Sequence, residues 1–115
     1  MFKSTILSLG AVVLLAGQAA AFDTCQPGRI YCGYELIDGQ SQPDRTLWIG
    51  RVNAALIEAK QEPITDDKQK QSRFRCGPRG ITLAWVNFCL STPGAQCQPR
   101  DQQACNGVDS CCLPV

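Results

Sequence analysis

The chain has 115 residues, eight of them cysteine, and its formal net charge is +1 with no histidine. Without an imidazole there is no Ser-His-Asp or Cys-His nucleophile pair, no histidine general acid and no histidine metal ligand. A charge this close to neutral argues against an electrostatic nucleic-acid binder, and the length predicts one domain.

Residues 1–21 read as a secretory signal peptide. Lys3 supplies the positive start, Ile6 to Ala16 is nearly all apolar, and Ala19-Ala20-Ala21 places small residues at the positions that precede cleavage. The apolar stretch is too short to span a bilayer, which takes roughly 20 residues. Cleavage between Ala21 and Phe22 leaves residues 22–115 as a single disulfide-stabilised domain. Only Lys3 is lost among the charged residues, so the mature net charge is zero. The product is expected to be secreted, free of the membrane and monomeric.

All eight cysteines fall in the mature part: Cys25, Cys32, Cys76, Cys89, Cys97, Cys105, Cys111 and Cys112. That is about 9% of the mature chain, the density of small secreted scaffolds. An even count on an oxidising route predicts four bridges. The gaps of 7, 44, 13, 8, 8, 6 and 1 residues contain no Cys-x2-Cys pair, so no zinc site is expected and nothing calls for a cofactor. Eight cysteines allow 105 pairings; excluding a strained bond between the adjacent Cys111 and Cys112 leaves 90, so the connectivity stays open. That pair is expected to tie the C-terminus to two different elements.

Arg29 to Ile37 alternates Ile30, Cys32, Tyr34 and Leu36 on one face, which predicts a first strand over 29–37, ended by Asp38-Gly39. Ser41 and Asp44 form a capping-box pattern ahead of a helix over about 43–60. Its Trp48, Val52, Ala55, Leu56 and Ala59 recur with helical period as a core stripe. Leu47, Ala54 and Ile57 form a second apolar stripe, well away from the first, and are the candidate partner-binding residues. Gln61 to Ser72 is charged and glutamine-rich and reads as a solvated loop, with Asp66 to Lys70 as a second candidate contact.

Residues 73–76 and 81–90 predict a hairpin across the turn Gly77-Pro78-Arg79-Gly80. Ile81 to Leu90 is apolar on both faces and predicts the central, most buried strand. Residues 91–115 predict an irregular, disulfide-pinned tail. The fold class is therefore α+β: a small disulfide-rich domain with one helix packed on a short antiparallel sheet. Trp48 and Val52 should meet the strand that carries Trp85.

Cys25-Gln-Pro-Gly28, Tyr31-Cys-Gly-Tyr34, Leu36, Phe74-Arg-Cys76, Gly80-Ile81, Cys89, Cys97 and Asp109-Ser-Cys111 follow one another in a recurring frame. In this the chain resembles small cysteine-rich proteins secreted by plant-associated ascomycete fungi. It departs at Ala95-Gln-Cys97, where a Gly-Cys is usual, and in the extra cysteines and closing Cys-Cys pair of its tail. The resemblance implies a virulence-associated effector that binds a host protein during infection. Such a protein acts in the apoplast or after uptake into host cells.

Two other classes are weighed. One is a ribonuclease-like secreted protein, inactive or weakly active: such enzymes use histidine with glutamate and arginine, and here Glu35, Glu58 and Glu62, the only glutamates, have no visible catalytic partner. The other is a protease-inhibitor or antimicrobial module: an inhibitor would present Arg79 on its turn to a trypsin-like pocket, and zero mature charge speaks against membrane activity.

Overall fold

The computed structural model describes residues 23–114, so the expected signal peptide and the expected cleavage point at Ala21 and Phe22 lie outside the described residues. The first apolar run divides. Ile30–Cys32 forms strand β1, and Gly33–Ile37 then turns into a short helix, α1. This corrects the expectation of one strand over 29–37. The Glu35 carboxylate accepts the Cys32 N–H at 2.8 Å, and the Asp38 N–H donates to the Tyr34 carbonyl at 2.8 Å. Side chain and backbone together close a helical turn that alternation of apolar residues does not reveal. Gly33 permits it, because a Cβ there would fall on the Gln69 carbonyl.

Helix α2, Asp44–Glu58, buries Trp48, Val52, Ala55 and Leu56, as its period predicts. The expected Ser41 box is not made. Pro43 occupies the cap position, and the Gln42 Oε1 accepts from the Thr46 N–H at 3.2 Å and hydroxyl at 2.6 Å instead. The segment expected as a loop contains a third helix, α3, Asp66–Gln71. Thr65 Oγ1 caps it by accepting the Lys68 N–H at 3.1 Å, and two aspartates in the first turn with lysines behind them suit the helix dipole. Gln69 Nε2 donates to Asn53 Oδ1 at 2.8 Å and ties α3 to α2.

Ser72–Cys76 (β2) and Leu83–Phe88 (β3) form the hairpin, and the antiparallel order is β1-β2-β3. The central strand is therefore β2, and β3 lies at the edge, reversing the sequence expectation. Ser72, Phe74 and Cys76 are buried on one face of β2, while beyond Leu83 no residue of β3 is fully buried. The core joins Trp48, Val52 and Leu56 of α2 to Leu36, Ile37 and Phe74, with Trp85 packed against it.

The tail is more regular than expected. Ala95–Gln98 (β4) and Cys111–Pro114 (β5) pair as a second antiparallel sheet. The bridges are Cys25–Cys76, Cys32–Cys97, Cys89–Cys112 and Cys105–Cys111. Of the adjacent pair only Cys112 ties the C-terminus to another element, at Cys89 just after β3, whereas Cys111 closes a local loop within the tail and does not anchor it to a second element. The segment before β5 also closes the outer edge of β1: Asp109 Oδ1 accepts the Ile30 N–H at 2.9 Å, and the Ser110 N–H donates to the Ile30 carbonyl at 3.0 Å.

Trp48 is fully buried, so Trp48→Ala is expected to cost about 3–5 kcal/mol in denaturant unfolding of the oxidised protein. Cys32–Cys97 closes a separation of 65 residues and Cys105–Cys111 one of 6. Replacing the second pair by serine should therefore destabilise by about 2 kcal/mol less than replacing the first, measured the same way.

Candidate interaction surface

Every third or fourth residue on the outer side of α2 is apolar or small. Leu47, Ala54 and Ile57 all lie exposed there with Gly50, on the side turned from the core. Leu47 is 40% and Ile57 52% accessible, large values for such side chains. Isolated exposed apolar residues are ordinary; three aligned along one helix face are less so.

Packing of α2 over the sheet adds a feature that the helix alone does not have. A hollow of 210 Å³ lies between α2 and the start of β3, lined by Arg51, Ala54 and Glu58 on one side and Ile81 and Leu83 on the other. A second hollow of 210 Å³ continues along β3 between Glu58, Ala59, Ala84 and Trp85. Ala54 belongs to both stripe and groove, whereas Leu47 and Ile57 do not line the groove. Arg51 is partly occupied: its Nη1 donates to the Asp23 carbonyl at 2.6 Å, and its guanidinium stacks 4.5 Å from the Trp48 ring centre.

The charged segment Asp66 to Lys70 is largely engaged within the molecule. Lys70 Nζ lies 3.3 Å from Asp38 and 3.5 Å from Asp66. Lys68 Nζ donates to the Gln61 carbonyl at 3.3 Å and sits 5.2 Å from the Phe88 ring centre. These contacts engage both lysines within the molecule, while Asp66 and Asp67 stay exposed.

A depression of 460 Å³ opens beside β1, lined by Thr24, Gln26, Arg29, Tyr31 and Glu35 among others. Arg29 stacks 4.4 Å from the Tyr31 ring centre, and the Tyr31 hydroxyl accepts the Gln26 N–H at 2.9 Å. Burial raises the Glu35 carboxyl above the ordinary carboxylate value, opposed by the Cys32 N–H and the Arg29 charge. Its lining holds a single carboxyl beside a single guanidinium. Glu58 and Glu62 lie elsewhere, Glu58 in the α2/β3 groove. Arg79 is exposed on the hairpin turn, where the Gly80 N–H donates to the Gly77 carbonyl at 3.0 Å. Gly80 has φ +76°, and a Cβ there would press on the Cys25 carbonyl.

Among the described residues no cluster of three or more Cys, Asp or Glu is placed to hold a metal ion, and all eight cysteines are bridged. No helix among them is long and apolar enough to cross a membrane. Comparison with protein families, with curated proteins and with solved structures finds no match.

The raised Glu35 carboxyl has a measurable consequence. The folded state favours the protonated form, so stability declines as pH rises from the ordinary carboxyl range through the higher folded-state value. Glu35→Gln keeps an acceptor for the Cys32 N–H and removes the ionisation. Urea unfolding across the acid range should show the variant gaining on the wild type as pH rises, with the two converging at the acid end.

Proposed function

We propose that the protein is a secreted effector of a plant-associated ascomycete, a disulfide-locked module that binds a host protein during colonisation. The observation that carries this reading is the aligned exposure of Leu47, Ala54 and Ile57 on α2 of a domain whose opposite helix face is filled by its own core. The signal-like leader, the four bridges and the resemblance of the cysteine frame support export and the host setting. The site of action is the apoplast, with uptake into host cells as a further route.

Exposed apolar area contributes more to affinity than solvated rim charge does. Ile57→Glu should leave folding and secretion unchanged, because Ile57 is 52% accessible. It should weaken binding to the host protein by at least about tenfold, the equivalent of 1.4 kcal/mol, and lower activity in planta. Deletion of the protein without any infection phenotype would count against the reading as a whole.

A further inference from the structure

The two edges of the three-stranded sheet are treated differently. The outer edge of β1 is closed by Asp109 and Ser110, which take both the N–H and the carbonyl of Ile30. The outer edge of β3 pairs with no strand among the described residues. Its hydrogen-bonding phase follows from its neighbours. The Gly77 N–H donates to the Thr82 carbonyl at 2.8 Å, so 77 and 82 form a bonded pair. Bonded and non-bonded pairs alternate in an antiparallel ladder, which makes Cys76–Leu83 and Phe74–Trp85 non-bonded pairs. The Cys76 N–H accordingly turns to β1, donating to the Arg29 carbonyl at 2.9 Å. Leu83 and Trp85 therefore direct their N–H and carbonyl groups away from β2, outward along the open edge that borders the α2/β3 groove.

Edges of this kind are commonly blunted by charge, proline or a covering element. Here Leu83–Phe88 has neither charge nor proline. The register shift that leaves Val86 unmatched comes only after Trp85. The open run from Ile81 to Trp85 is about 17 Å long, enough for roughly five residues of added strand.

We propose that β3 binds an extended segment of a partner protein as a fourth strand, with alternate side chains seated in the α2/β3 groove. This deepens the binding-module reading and rests on it. Main-chain bonds to Leu83 and Trp85 would provide the pairing, and the groove the selectivity. The Ala54, Ala55 and Ala59 wall leaves room for aliphatic side chains. Glu58 lines both hollows and has no ion-pair partner among the described residues, while Arg51 in the first hollow is held by the Asp23 carbonyl and the Trp48 ring, so a segment with one basic residue opposite Glu58 matches the charge. An antiparallel β3–β3 pairing with a second copy fits poorly. Within the sheet α2 lies closest to β3. The pairing would set two α2 helices side by side on one face of the joined sheet, each bringing an unpaired Glu58 carboxylate to the same seam, where like charges repel.

The test screens a phage-displayed library of random dodecapeptides against the oxidised mature protein. Enriched peptides should alternate apolar residues around a basic one. Their binding should slow hydrogen exchange at the Leu83 and Trp85 amides. Ala54→Trp, at an exposed position, should fill the groove and weaken capture at least tenfold, while Ile57→Glu leaves capture unchanged. No enrichment, unaltered exchange at Leu83 and Trp85, or loss of capture in Ile57→Glu but not in Ala54→Trp would overturn the proposal. If Ile57→Glu still lowers activity in planta after such a result, the host-binding reading survives without the groove. If peptides bind as expected but Ala54→Trp and Ile57→Glu strains colonise normally, the groove stands and the effector reading falls.

Discussion

Cys32 is the point on which the architecture turns. Fully buried, it ends β1, begins α1 and bonds to Cys97 in the second sheet. Around it Cys89, Cys97, Cys112 and Tyr34 form a small core composed mainly of sulfur, distinct from the one around Trp48 and Phe74. The second sheet contributes only cysteines to these two clusters, so it has little packing of its own. The helix–sheet core fixes the first sheet, and cystine sulfur fixes the second to it. The Tyr34 hydroxyl donates to the Cys97 carbonyl at 3.0 Å, and Gln71 Oε1 accepts the Cys97 N–H at 2.8 Å, so polar contacts set the orientation of the joint.

What could be read from sequence was whatever a local period encodes. Trp48, Val52, Ala55 and Leu56 declare one side of α2, and the same spacing exposes Leu47, Ala54 and Ile57 on another. The hairpin was legible from the glycine turn between two β-rich runs. The β1–α1 break was not, because it depends on where one carboxylate, that of Glu35, sends its hydrogen bond. Helix α3 had a signal in Thr65-Asp66-Asp67, but with no apolar face its period is silent. The strand order was misread because two apolar faces on β3 do not distinguish a central strand from an edge strand with α2 on one side. Pairing of β4 with β5 spans a long irregular segment and leaves no local mark.

The candidate surface shows the same division. A stripe along one helix belongs to a single element and is visible in its spacing. The groove needs Ile81 and Leu83 brought beside Ala54 and Glu58, residues more than twenty positions away, and the open phase of β3 depends on its register with β2. Neither exists until the sheet has formed. The two surfaces meet at Ala54, so one face of the molecule offers both apolar area and unpaired backbone.

The order of the four bridges along the chain has a further consequence. Cys25–Cys76 and Cys32–Cys97 overlap, Cys32–Cys97 overlaps Cys89–Cys112, and Cys105–Cys111 nests inside the last. Every peptide bond between Cys25 and Cys112 is therefore spanned by at least one cystine. A protease that nicks the exposed stretch around Glu62, or the tail near Asp101, severs the backbone without releasing a fragment. The nicked protein remains one covalent molecule until a reductant reaches it, a form of endurance that comes from how the loops interlock and is independent of how tightly the core is packed.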